Sequence, residues 1–199
     1  MHVTVPLCLA SSSPRRQEFL RRMNFEFESN SPDVDESRLP GEEINEFLLR
    51  VSLSKAHAVT PAHPDALVLA GDTVVVVDDE VLGKPRNPEH AREMLYRLEG
   101  RWHEVRSAYV LEHRSQQEVV SGLEVTRVCL FPLSSQLIDW YVSTGEGVDK
   151  AGSYAIQGLG TCLVERIEGS YTNVMGFPIE RILRDMEVKG WLSFSQESA

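Results

Sequence analysis

Leu9-Ala10-Ser11-Ser12-Ser13-Pro14-Arg15-Arg16-Gln17-Glu18-Phe19-Leu20 turns an apolar run into a helix within a few residues. The run that leads into it, Val3 to Ala10, reads as a buried strand. Pro14 suits the first helical position, because it has no N–H to lose there and its φ is already helical. Ser13 reads as the N-cap. Phe19, Leu20 and Met23 share one face, so the helix runs to about Met23. Arg15 and Arg16 fall in its first turn, where the macrodipole is positive and cations are disfavoured. Two arginines, free N–H groups and serine hydroxyls predict an anion site, most naturally for phosphate. The alternative is two solvated arginines on a surface helix.

Outward from that stretch, helical and strand patterns alternate, which points to an α/β fold. Phe25 and Phe27 suggest a short strand, followed by an acidic loop through Asp33-Val34-Asp35-Glu36. Such carboxylates are equally at home in a solvated turn. From Glu42 to about Val59 the pattern is helical, with Ile44, Phe47, Leu48 and Val51 as its apolar stripe. Lys55 lies on the same stripe, so it either snorkels to solvent or points into a cleft. Ala66 to Val77 is the most apolar run and reads as a strand buried on both faces. Asp72 interrupts it. A charge there is costly unless paired or bound to metal, so a functional role is expected over a structural capping role. Gly71 beside it suggests a bulge or a close backbone approach.

Asp78-Asp79-Glu80 reads as a turn, and Gly83-Lys84-Pro85 holds Lys84 in a restrained loop. Asn87 and Pro88 open a helix that Gly100 closes. Val105 to Glu112 and Glu118 to Leu130 predict a hairpin. Ser134 caps a further helix. The glycine-rich stretch from Gly145 to Gly160 suggests a backbone that closes on a ligand, or else a long mobile connection. Cys162 to Ile167 reads as a strand, Pro178 opens the last helix, and the tail from Ser193 reads as frayed. No linker divides residues 1–199, so one domain is expected.

The formal net charge of -10 argues against nucleic acid and anionic membranes as partners. Basic groups that serve an anionic ligand must therefore be gathered locally. The cysteines, Cys8, Cys129 and Cys162, are odd in number and far apart, which fits reduced thiols. No run reaches transmembrane length, and a cytoplasmic location is the expectation. The unusual residues are Ser11, Arg15, Arg16, Glu36, Lys55, Asp72, Lys84 and Gln157. Four cations match a triphosphate. Two carboxylates could hold a divalent metal, and one of them could activate water. The Gly-x-x-x-x-Gly-Lys-Ser/Thr loop is absent, so this is not a P-loop enzyme.

Taken in order, Leu9 to Arg16, Val34-Asp35-Glu36, Lys55-Ala56, Gly71-Asp72-Thr73, Leu82-Gly83-Lys84-Pro85 and Asp149-Lys150-Ala151-Gly152 resemble the Maf (septum-formation) family of nucleotide pyrophosphatases. Each motif is short, but their joint order and spacing are specific, and the similarity runs from about Val5 to Arg184. The resemblance implies an elongated mixed-sheet fold with a cleft between two lobes, like that of inosine triphosphate pyrophosphatases. It implies a divalent metal, Mg²⁺ or Mn²⁺, and often a homodimer. The reaction it implies converts nucleoside triphosphates to monophosphate and pyrophosphate. By the same resemblance, Asp72 is the general base. Ser11, Arg15, Arg16, Lys55 and Lys84 bind phosphates, and Glu36 helps to hold the metal with Asp72. Ser153 to Gly160 is similar to the branch acting on dTTP and UTP, with Arg15, Thr73 and Gln157 at the positions linked to that preference. The branch acting on 7-methyl-GTP carries a glutamate where Gln157 stands. Other readings are a nucleotide-binding regulator of septum formation and a phosphotransferase. One departure is Ser107-Ala108, where members usually have Thr-Gly. Ala108 does not take a positive φ cheaply, so an altered local turn is expected there.

Overall fold

A computed structural model describes residues 1–194. The elements run β1 (His2–Val3), β2 (Leu7–Leu9), α1 (Pro14–Arg22), β3 (Glu28–Ser29), α2 (Ile44–Val59), β4 (Leu67–Val77) and β5 (Glu80–Leu82). They continue through α3 (Pro88–Leu98), β6 (Trp102–His113), β7 (Glu118–Leu130), α4 (Ser135–Ser143), β8 (Val164–Glu168), α5 (Tyr171–Val174), α6 (Ile179–Val188) and β9 (Leu192–Ser193). The mixed α/β class read from the sequence holds. The main sheet has the strand order β3-β2-β4-β6-β7-β8, with β5 on β4. The chain divides into two compact units. Three of the four boundaries fall inside β4, β6 and β7, so each of these long strands contributes to both; the fourth follows Met175.

Among the described residues the first unit comprises 1–72, 108–123 and 176–194. Its centre is a parallel ladder that aligns Leu7, Cys8 and Leu9 with Leu67, Val68 and Leu69. Parallel strands buried on both faces read as unbroken apolar runs, as these do. Cys8, Ala10, Val68, Ala70 and Val110 pack there against Ala56 and Val59 of α2. Burial pushes the Cys8 thiol up to about 11, so it behaves as a small apolar side chain. The expected strand from Val3 to Ala10 is broken in two. Pro6 has no N–H for a ladder. Ahead of it β1 leaves to pair with β9, His2 opposite Ser193. Ser193, expected in a frayed tail, is thus held; the rest of that expected tail from residue 195 lies outside the described residues. The helix α2 starts at Ile44 rather than Glu42. The Glu42 carboxylate instead accepts from Arg50 Nε at 2.6 Å and Leu39 N at 3.0 Å.

The second unit comprises residues 73–107 and 124–175. Val75, Val77, Leu95, Leu98, Val128, Leu130, Ile138, Tyr141, Tyr154 and Leu163 form its core. The caps expected at Asn87 and Ser134 are present: Asn87 Oδ1 accepts from His90 N at 2.8 Å and Ser134 Oγ from Leu137 N at 3.2 Å. Asp78 and Asp79, both at positive φ, form the expected turn, which leads from β4 into β5; Glu80, expected in that turn, is the first residue of the strand. The strand expected from Cys162 begins only at Val164, because residues 158–163 form a 3₁₀ turn. The short helix α5 was also missed. Its cap is Ser170, whose Oγ accepts from Asn173 N at 3.0 Å. Ser107-Ala108 lies within β6, and Ala108 has no positive φ. The altered turn expected there does not exist, because the dipeptide is ordinary extended strand.

Candidate active site

The first unit gathers six of the residues singled out in the sequence. The turn from β2 into α1 places Ser11, because Ala10 N donates to Leu69 O at 2.8 Å and continues the parallel ladder. Ser13 precedes the helix in an extended conformation, but its side chain makes no cap. Its N–H instead donates to Ser11 Oγ at 3.2 Å. The sequence offered Arg16 as part of an anion site or as a solvated cation on a surface helix, and at 8% exposure it is not the second. Its Nη1 donates to Gly71 O at 2.7 Å and to Ser11 Oγ at 3.3 Å. Its Nε donates to Gly176 O at 3.1 Å, and the guanidinium lies 5.3 Å from the centre of the Phe177 ring. Burial pulls the Arg16 guanidinium below its usual range, while the charge of Asp72 opposes that. Arginine still stays protonated, and its planar fork suits several fixed acceptors at once. Arg15, in the same turn, is half-buried and close enough for its charge to act on Arg16.

Gly71 explains why β4 carries its polar residue at this point. A Cβ there would stand 2.7 Å from Ala108 O and 3.0 Å from Phe177 Cε2. The close backbone approach expected from the sequence is real. Asp72 follows, half-buried, and Lys55 Nζ reaches its Oδ1 at 2.9 Å. The same ammonium reaches Glu36 Oε1, also at 2.9 Å. Lys55 therefore does not snorkel to solvent. The stripe of α2 that buries Val51, Ser52 and Ala56 buries Lys55 as well, and its charge is met by two carboxylates. Breaking such a pair strands the remaining charge, typically at a cost of ~3–5 kcal/mol for a buried site.

The donor set fits a small hard cation in a limited way. Glu36 and Asp72 are joined through one lysine, and among the described residues no group of three or more His, Cys, Asp or Glu side chains is gathered for a metal. Mg²⁺ commonly uses one or two carboxylates and takes its other ligands from water and substrate phosphates. These two carboxylates are sufficient for that mode, not for an all-protein cage.

The second unit holds Thr73, Lys84 and Gln157. Thr73 Oγ1 and Ser107 Oγ share a hydrogen bond of 2.8 Å, so Ser107 takes part in the polar pairing that a threonine would offer. Lys84 and Gln157 are both exposed. The loop after β5 is tied down: Gly152 N donates to Gly83 O at 3.1 Å. Nearby, burial lowers His103 to about 4, so it is neutral at pH 7. Its Nε2 lies 2.7 Å from the Tyr154 hydroxyl. Sequence reasoning passed over this pair. His103 is one of six scattered histidines, and nothing local marks it as buried.

Comparison with known proteins places the chain. The family model described as Maf-like protein matches residues 6–188. A protein of Symbiobacterium thermophilum named dTTP/UTP pyrophosphatase is 46% identical over 189 residues, covering 95% of this chain and 96% of that one. Proteins of the same name from Myxococcus xanthus and Pyrococcus furiosus are 44% and 41% identical. They cover 92% of this chain each, and 92% and 94% of their own lengths. A HAM1 protein from Coxiella burnetii aligns at 18% identity and a TM-score of 0.45 over 64% of this chain and 73% of that one, too distant a likeness to bear on the fold.

Proposed function

The chain belongs to the Maf family, and from that premise we propose that it hydrolyses nucleoside triphosphates to nucleoside monophosphate and pyrophosphate, with dTTP and UTP preferred. The observation that carries this reading is Asp72, set in an apolar strand and paired with Lys55, with Arg16 bound to the carbonyl of the preceding residue. In the proposed reaction Asp72 takes a proton from water as that water attacks the α-phosphorus. The bond between the α-phosphorus and its bridging oxygen breaks, and pyrophosphate leaves with the electron pair. Arg15, Lys55 and Lys84 meet the charge that develops on the leaving group. Ser11 Oγ accepts from Ser13 N and Arg16 Nη1, which leaves its own hydrogen to donate to a phosphate oxygen. Arg16 belongs to the phosphate site mainly through what it fixes, the Ser11 hydroxyl and the Gly71 carbonyl.

Glu36 and Asp72 are the proposed ligands of a divalent cation, Mg²⁺ or Mn²⁺. When bound, the cation neutralises phosphate charge. A cytoplasmic location, a single family domain over residues 1–199 and a homodimer complete the reading. Among the described residues no helix is long and apolar enough to cross a membrane.

Base preference is assigned to Gln157. Its amide offers a donor and an acceptor, which suits the mixed edge of thymine or uracil. A glutamate there would only accept, which suits the N1–H and amino group of guanine. Pyrophosphate release from dTTP, UTP, CTP and 7-methyl-GTP tests both levels of the proposal. Fast release from dTTP and UTP is expected, with slow release from 7-methyl-GTP. A clear preference for 7-methyl-GTP would overturn the base assignment, and no pyrophosphate from any of them would leave a nucleotide-binding protein. Gln157→Glu is expected to shift kcat/KM toward 7-methyl-GTP, incompletely, because Arg15 and Thr73 also bear on the preference.

Lys84→Ala should lower kcat/KM by about tenfold, the loss of one charge-assisted contact. Lys84 is exposed, so the thermal midpoint without ligand should not move. An unchanged kcat/KM would place Lys84 outside the phosphate site.

A further inference from the structure

The glycine-rich loop was read from the sequence as a ligand-closing backbone or a mobile connection. The structure shows it fastened on both sides of Gln157 by two side chains of one short stretch. Glu146 lies just beyond α4. Its Oε1 accepts from Leu159 N at 2.9 Å and its Oε2 from Gly160 N at 2.7 Å. Tyr141, on the buried face of α4, accepts from Ala155 N at 3.1 Å. The two anchors thus hold the loop at Ala155 on one side of Gln157 and at Leu159 and Gly160 on the other.

The local sequence is suited to this arrangement. Gly158 has φ +70, and a Cβ on it would stand 2.2 Å from Glu146 Oε1. Only glycine lets the carboxylate come close enough to reach the next two N–H groups. Lys150 Nζ donates to Glu146 O and, at 2.7 Å, to Asp149 Oδ1, which fixes the other end of the loop. Burial resists ionisation of Glu146, but the N–H groups of Leu159 and Gly160, the Tyr141 phenol and Lys150 together hold its carboxyl below the usual carboxylate range. Between the anchored residues Ala155 and Leu159, Gln157 is left exposed.

We propose that Glu146, supported by Tyr141, is a positioning residue that sets base preference by holding the loop from which Gln157 projects. This rests on the assignment of Gln157 to the base. A site discriminates by a fixed hydrogen-bonding edge, because a wrong base leaves that edge unmet. A loose loop lets the edge adapt, and discrimination falls. Catalysis needs no such edge, so turnover is spared. The carboxylate is suited to the task because it accepts two N–H bonds at once. An amide of the same size presents one acceptor and turns an NH₂ group against the second N–H.

The test compares kcat and KM for dTTP, UTP and CTP in the parent, Glu146→Gln and Tyr141→Phe. In Glu146→Gln the KM for dTTP and UTP should rise about tenfold while kcat stays within about threefold, so the preference for dTTP over CTP falls about tenfold. Tyr141→Phe keeps the ring in the core and removes one neutral hydrogen-bonding group. It should move the same ratio in the same direction by about threefold, and it decides the matter if Glu146→Gln does not fold. Equal losses for all three nucleotides, or an unchanged preference in both variants, would overturn the positioning role and leave Gln157 as the base contact. A parent that does not distinguish dTTP and UTP from CTP would overturn the Gln157 assignment, and the positioning role with it.

Discussion

Asp72→Asn is expected to lower kcat by ~10²–10⁴-fold, the usual cost of losing a general base, while the protein remains folded. The substitution keeps the size and one acceptor oxygen and removes the negative charge. Lys55 is not stranded by it, because Glu36 Oε1 stays 2.9 Å from its Nζ. The measurement is pyrophosphate release by the purified variant, alongside circular dichroism to show that the fold persists. A kcat near that of the parent would remove Asp72 from the role of base. The companion variant Glu36→Gln separates the two carboxylates. Glu36 is more than half exposed and is assigned to the cation alone, so its loss should be reduced by raising the metal concentration.

Arg16→Ala is expected to cost both activity and stability. A surface phosphate ligand would cost activity alone. In this chain the substitution removes the hydrogen bonds that Arg16 donates to Gly71 O and Gly176 O, and a hydrogen bond from a charged donor is worth ~1.5–3 kcal/mol. The contact with the Phe177 ring is lost as well. The combined loss corresponds to a fall in thermal midpoint of roughly 5–15 °C for a chain of this size. Arg16→Lys restores the charge but not the fork, so it should recover little of either. Thermal unfolding without ligand decides between the two roles: an unchanged midpoint in Arg16→Ala would return this arginine to the surface.

These two variants mark what could be read from the residues alone. Asp72 was legible because a charge within an apolar strand is costly, and the cost demanded a partner. Lys55 was half legible: its place on the stripe of α2 was clear, but whether it snorkels or turns inward depends on residues far away in the chain. Arg16 was half legible for a related reason: the anion-site reading did not foresee that its side chain turns inward. The first turn of a helix is a good place for an anion ligand, and helix periodicity does not say which residue of the turn faces the sheet. Its acceptors, Gly71 O and Gly176 O, belong to backbone 55 and 160 residues away. Helix caps were read correctly at Asn87 and Ser134 because that chemistry is local, whereas the 3₁₀ turn at 158–163 was not, because Glu146 holds it from across the loop.

The pairing of His2 with Ser193 bears on how the molecule is made. Synthesis runs from the amino end, so every segment of the second unit has been translated before residues 176–194 of the first emerge. The second unit can close while the chain is still being made. The first must wait with β2 and β4 laid out but without Phe177, Ile182, Met186 and Trp191, all of which are buried in the finished fold. Arg16 waits too, since Gly176 supplies one of its acceptors. A ribosome stalled near residue 175 would therefore present an apolar, incomplete half to the cell's chaperones and proteases, and activity would arise only once the last few dozen residues are released.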